Sequence, residues 1–339
     1  MKLIEENVNS LVKKLDKGGI NFAGKSVLVT GGGGFVGSWI CDVLIKQHTK
    51  VICVDNFSSG QKENIQHLIK NKEFKLVNHD ISHPIVFDEN IDLVMHLASR
   101  ASPFEFSRFP IQILKANTLG TWVALGIARA HDAKIVYAST SEIYGDPDPK
   151  YVPTPETYNG NVNPVGPRSC YDEAKRAGEA FVIAYMLQHG LDTRIVRIFN
   201  TYGPRMRPGD LYGRVVPRFI EQAINEQPLT IFGDGLQTRS FTYVTDLVEG
   251  ILRTAFFSSA KGEVINLGNN IEIQIIKLAK TIIRLTGSKS EIVFQPLPED
   301  DPKRRCPNVS VAKRVLDWEP ITGLEDGLNK TIKWFVKKN

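Results

Sequence analysis

Residues 27–40 read VLVTGGGGFVGSWI, and this stretch decides the fold. An apolar β-branched run ends in glycines and passes into an apolar segment of helical character, in the order strand, turn, helix. Gly31, Gly34 and Gly37 let the backbone turn tightly and approach a pyrophosphate, whose charge is favoured by the amides at a helix N-terminus. Four consecutive glycines make the spacing partly degenerate, so the context carries the reading.

That context is supplied on both sides. Short runs, KSVLVT (25–30), KVICVD (50–55), FKLVNHD (74–80), IDLVMHLA (91–98), AKIVYAST (133–140) and TRIVRIFN (193–200), alternate with longer helical stretches. They are apolar almost throughout, as parallel strands buried on both faces must be. The pattern predicts an α/β fold of the Rossmann type, a doubly wound parallel sheet. The rhythm breaks after Asn200 at TYGPRMRPGDLYGR, and the later runs PLTIF, SFTYV, EVINL and EIVFQ are short and separated. The expected division is an N-terminal helical extension (1–24), a dinucleotide-binding domain (25–204) and a smaller C-terminal α/β substrate-binding domain (205–339), with some later segments returning to the sheet. In the extension Ile4, Val8, Leu11 and Leu15 form one stripe, predicting an amphipathic helix over 3–16.

The second run ends at Asp55, 18 residues after Gly37. A carboxylate there accepts hydrogen bonds from an adenosine ribose and repels a 2′-phosphate, so NAD is expected over NADP. Asp80 ends the third run, where it would accept from the adenine amino group or serve as a simple loop residue. Leu97, Ala98 and Ser99 end the fourth, with small residues where a cofactor would cross the sheet edge.

Composition bounds the rest. The 339 residues are 42% hydrophobic and carry a formal charge of +5, which suits an anionic small molecule and is too diffuse to imply nucleic acid. Cys41, Cys53, Cys170 and Cys306 are scattered without C-x-x-C spacing, which argues against a zinc site or disulfide framework. His79 and His83 are four apart, but Pro84 disfavours a helix there, and no metal is expected. No apolar run approaches ~18 residues and no signal-peptide core is present, so a cytoplasmic enzyme without membrane attachment is expected.

Within GPRSCYDEAKR (166–176), Tyr171 and Lys175 stand four apart, a spacing that any helix face produces. Beside a bound nicotinamide the pair acquires a purpose. Removing a hydride from a sugar carbinol requires a base for the hydroxyl proton, and a phenol with pKa ~10 must be brought down by ~3 units to act at neutral pH. A partly desolvated Lys175 ammonium together with the nicotinamide charge is expected to do this. Thr140 would hydrogen-bond the substrate hydroxyl or the phenol.

TGGGGFVG, Asp55-Asn56, STSEIYGD, GPRSCYDEAKR, RIFNTYGPRM, QTRSFTYVTDLVEG and DDPKRRCPN together resemble the extended short-chain dehydrogenase/reductase superfamily, and within it most of all the UDP-glucuronate decarboxylases. The resemblance runs from about residue 25 to 335. It implies NAD-dependent oxidation at C4 of UDP-glucuronate, loss of the C5 carboxylate from the 4-keto sugar, and recycling of NAD. It implies Tyr171 as the acid/base at O4, Lys175 tuning it, Thr140 orienting O4, and Ser141 and Glu142 near C5. Arg305 would hold the sugar, and Asn200, Arg214 and Arg239 the nucleotide diphosphate. Phe35, Val36, Asn56, Ile81 and Asn117 join the implied cofactor contacts. The resemblance also implies a homodimer, paired through helices at about 110–131 and 169–189. A nucleotide-sugar 4,6-dehydratase is the main alternative, since it too places a Glu at the position of Glu142; a 4-epimerase is a further one. Arg100, in HLASRASPF, departs from the animal decarboxylases, which carry Pro there. Such a cation would grip a carboxylate or mark another acidic sugar.

Overall fold

The computed structural model describes residues 2–207, 214–297, 302 and 304–338. The tract PGDLYG (208–213) and Asp300, Asp301 and Lys303 of the closing motif lie outside the described residues.

Six strands follow the expected runs closely: β1 (Ser26–Thr30), β2 (Lys50–Asp55), β3 (Phe74–Asn78), β4 (Leu93–His96), β5 (Lys134–Thr140) and β6 (Thr193–Ile198). Together with the strand Val264–Leu267 they form a seven-stranded sheet ordered β3-β2-β1-β4-β5-β6 and then Val264–Leu267. Every pairing in it is parallel. This is the doubly wound α/β order, and the chain reverses direction across the sheet between β1 and β4. Ligands bind at such a reversal, outside the carboxyl ends of the strands.

Alternate residues of each strand enter different cores. Val27 and Val29 pack with α2 (Phe35–Lys46), while Leu28 packs on the opposite face with the helix Leu119–Ala130. The first face is closed further by α1 (Lys2–Lys17) and the helix Val244–Phe256. Helix α1 buries Val8, Leu11, Val12 and Leu15, and full burial of each such side chain contributes ~1.5–3 kcal/mol. Lys14 pairs with Glu249 at 2.6 Å and Gln47 donates to Asp16 at 2.9 Å, which pins α1 on both sides.

The opposite layer holds α3 (Pro103–Phe106), α4 (Pro110–Asn117), α5 (Leu119–Ala130) and α6 (Ser169–His189). The continuous helix expected over 110–131 is divided at Thr118. Its Oγ1 donates to the Leu114 carbonyl at 2.7 Å, and Asn117 Nδ2 donates to Ile113 at 2.9 Å. The break is in the backbone itself, where Thr118 takes φ −107° and ψ −70°.

Later segments build short sheets beside the strand ends. Leu229–Phe232 pairs with Ile292–Gln295, and Thr238–Ser240 pairs with both Glu272–Gln274 and Arg304–Arg305. The last of these strands carries Arg305 to the mouth of the main sheet.

Candidate active site

A cavity of about 460 Å³ lies along the carboxyl ends of the strands and is walled by both parts of the chain. One end is the glycine turn. Gly31 has φ +73°, and a Cβ there would sit 2.8 Å from the Ala98 backbone. A Cβ on Gly37 would fall 2.2 Å from the Gly31 carbonyl. Only glycine allows the turn to close on α2 while β4 passes beside it. Phe35, Val36 and Gly34 complete this wall, and the N-terminus of α2 faces the cavity.

Asp55 is fixed by two backbone amides. Gly33 N donates to its Oδ2 at 2.9 Å and Phe57 N to its Oδ1 at 2.7 Å. Burial raises its pKa, and these two bonds oppose the rise. Asn56 donates to Asp80 Oδ2 at 3.0 Å, and Ile81, Leu97, Ala98 and Ser99 share the same wall. A glycine cradle that any side chain would fill, followed by a fixed carboxylate, fits a dinucleotide. Asn117 is different. Helix α4 buries it and its amide turns back to Ile113, so it stands behind the cavity wall.

At the other end Tyr171 and Lys175 occupy the first turns of α6, both buried. Gly178 lies on the same helix facing β5, where a Cβ would meet the Tyr137 hydroxyl at 2.0 Å, so α6 packs close enough to bring Lys175 under the sheet. Lys175 Nζ donates to the Ala138 carbonyl at 2.7 Å and lies 5.0 Å from the Tyr137 ring centroid. Burial, opposed by the Glu179 carboxylate, brings its ammonium down to about 7. Burial also lifts the Tyr171 phenol well above its ordinary value, with a hydrogen bond to Thr140 opposing. Desolvation thus dominates the phenol of the free protein, and Lys175 is engaged with the Ala138 carbonyl. The ring of Phe106 stacks on Tyr171, centroids 5.0 Å apart.

Thr140 ends β5, and Ser141 and Glu142 follow in a 3₁₀ turn. Glu142 is held by two guanidiniums. Arg168 donates to its Oε2, and Arg305 Nη2 donates to the same atom at 3.1 Å. Arg305 also donates to the Ser141 carbonyl. Burial would raise Glu142, but Arg305, Arg168 and Arg239 together hold it below the ordinary carboxylate range. Asp172, 3.6 Å from Arg168, is pushed up to about 7 by burial and by Glu142.

Sequence reasoning missed Arg168 and Phe106. Arg168 stands four residues before Asp172, a spacing that was available as a signal; nothing local links Phe106 to Tyr171. Asn200, Arg214 and Arg239 also line the cavity. Among the described residues its wall carries Arg100, Arg168, Arg205, Arg207, Arg214, Arg218, Arg239 and Arg305 against Asp55, Asp80 and Glu142. Such a lining concentrates anions. No cluster of metal-ligating side chains occurs among the described residues.

Residues 27–268 match the model of the NAD dependent epimerase/dehydratase family. The chain belongs to this family. Its cofactor is NAD. Within the family the chain is 48% identical, over 93% of its length, to UDP-glucuronic acid decarboxylase 1 of Xenopus tropicalis, of which it covers 73%. It is 45% identical over 94% of its length to UDP-glucuronic acid decarboxylase 2 of Arabidopsis thaliana, covering 70% of that protein. A solved structure of the UDP-glucuronic acid 4-epimerase of Bacillus cereus, in complex with UDP-glucuronic acid and NAD, superposes with a TM-score of 0.82 at 28% identity, over 93% of this chain and 100% of the other. The expected fold class and family resemblance are borne out.

Proposed function

We propose that this chain decarboxylates UDP-glucuronate to UDP-xylose through a 4-keto sugar. The relatives' shared activity supports the reaction, and one observation supports the assignment of roles: Glu142, fixed by Arg168 and Arg305, stands two residues after Thr140, the partner of Tyr171, and donates its backbone N–H to the Thr140 hydroxyl at 3.3 Å.

Bound NAD supplies reversible hydride acceptance at C4. Tyr171 takes the proton from O4 during oxidation and returns it at the end, with Thr140 orienting O4. Because burial keeps the free phenol neutral, Tyr171 becomes a base only when positive charge is brought beside it. Lys175 is one source, once its Nζ is protonated. A ketone at C4 is β to the C6 carboxylate, so the electrons left behind by CO₂ delocalise into an enolate. Glu142 and Ser141 serve at C5, where that enolate is protonated. Arg305 holds the ring in place, while Asn200, Arg214 and Arg239 bind the diphosphate and its surroundings.

The reading includes a homodimer. Leu114, Leu119, Trp122 and Leu187 leave apolar surface exposed on α4, α5 and α6, which supports pairing through this layer. It also includes a cytoplasmic location, supported by four free cysteines; recovery from a membrane or secreted fraction would contradict it. Among the described residues no helix is long and apolar enough to cross a membrane.

The decisive test is incubation with NAD and UDP-glucuronate, which should yield CO₂ and a UDP-pentose. A 4-epimer of the substrate without CO₂ would overturn the reading. So would a 4-keto-6-deoxy sugar formed from a neutral hexose with UDP-glucuronate inert.

A further inference from the structure

Arg168 and Arg305 are engaged with Glu142. Arg100 is placed differently. It lies on the cavity wall just after β4, with its side chain only 14% exposed. Among the described residues its guanidinium makes one hydrogen bond, Nη1 donating to Glu105 Oε1 at 2.6 Å. Arginine has five N–H donors; those left over on Arg100 are not sealed from solvent, so they stay accessible on the wall of the cavity that Arg100 lines.

Its surroundings hold it in one pose. Phe109 lies against the guanidinium, 4.4 Å from ring centroid to Cζ, and Glu105 is itself buried at 4% exposure. The same segment carries Phe106, which stacks on Tyr171. Arg100 is thus fixed on the Tyr171 side of the cavity, with a planar fork of donors remaining for a carboxylate.

We propose that Arg100 binds the C6 carboxylate of the sugar and sets the preference for an acidic over a neutral hexose; this rests on the UDP-glucuronate reading above. The buried Glu105 then has a reason to be there. As CO₂ leaves, negative charge moves from the carboxylate towards O4. An uncompensated cation on the carboxylate would stabilise the ground state more than the transition state and slow the step. The Arg100–Glu105 pair is neutral overall, so its hydrogen bonds orient the carboxylate without a full opposing charge. Glu105 is a positioning residue acting through Arg100.

Binding is best measured in a Tyr171→Phe background, loaded with NAD so that the substrate is retained, by calorimetric titration with UDP-glucuronate and with UDP-glucose. The background protein should bind UDP-glucuronate at least tenfold more tightly. Arg100→Gln should remove that difference and leave UDP-glucose affinity unchanged, which also shows that the variant is folded. Retention of the preference in Arg100→Gln overturns the proposal, and so does an equal loss of affinity for both sugars. A background protein that does not discriminate overturns both the proposal and the UDP-glucuronate reading. With Tyr171 intact, Glu105→Gln should lower KM and kcat together; a fall in kcat with KM unchanged or raised counts against the positioning role.

Discussion

Arg305 Nη2 donates to Glu142 Oε2 at 3.1 Å across 163 positions of sequence. The bond joins the later, substrate-side strands to the end of β5, and it helps hold Glu142 ionised against burial. A carboxylate whose folded pKa is depressed contributes stability that is full above its unfolded value and is lost as pH falls through the folded one. Arg305→Ala should therefore lower stability at pH 7 by about 3 kcal/mol and move the acid limb of unfolding to higher pH. An unchanged Tm at pH 7 would show that the pair contributes nothing. Turnover should fall more steeply than NAD affinity, because the cofactor wall is at the other end of the cavity.

Tyr171→Phe removes one oxygen from a packed site and keeps the ring that Phe106 covers. NAD binding and Tm should be preserved while the first oxidation is lost, so no NADH absorbance develops in a single turnover. Glu142→Gln should differ, permitting some oxidation and slowing the later steps. Full activity in Tyr171→Phe would remove the phenol from the mechanism.

Lys175 gives a pH-dependence of its own. Between about 7, where burial places it, and the ordinary lysine value of ~10.4, the unfolded chain binds a proton that the folded protein does not. Stability of the free protein should therefore rise with pH across that window. Lys175→Met should be inactive, more stable at pH 7 by on the order of 3 kcal/mol, and flatter in its pH profile. Equal slopes for the two proteins between pH 7 and 10 would refute the buried, depressed lysine.

Asp55 is held by Gly33 and Phe57 amides, so its charge stays in place when a ribose arrives. NAD should bind more tightly than NADP, and Asp55→Ala should reduce the preference by roughly tenfold, about the value of one charged hydrogen bond. Equal affinities of the unmodified protein for the two cofactors would remove this assignment.

The exposed Trp122 on α5 tests the oligomer. Light scattering at micromolar concentration should give a dimer, and Trp122→Glu should shift it towards monomer by placing a charge in a desolvated interface. A monomer before substitution would rule out the pairing.

The sheet was legible from the chain alone because buried parallel strands must be apolar throughout, and six such runs with glycines after the first admit few topologies. The glycine turn and Asp55 were legible for a related reason: they act through backbone geometry and fixed local spacing, which sequence records directly. Tyr171 and Lys175 were visible as a pair, but burial, which sequence spacing does not report, decides that both are desolvated and that Lys175 turns to Ala138. Thr118 splits a helix whose apolar pattern is continuous, since periodicity does not report a local departure of the backbone such as its φ −107°, ψ −70°. What only the tertiary structure decided are the long-range meetings of Arg305 with Glu142 and Phe106 with Tyr171, and the burial of the local Arg100–Glu105 pair at the cavity wall. Local sequence governs the bonds a backbone makes with itself, whereas charges find partners only once folding has removed the water between them.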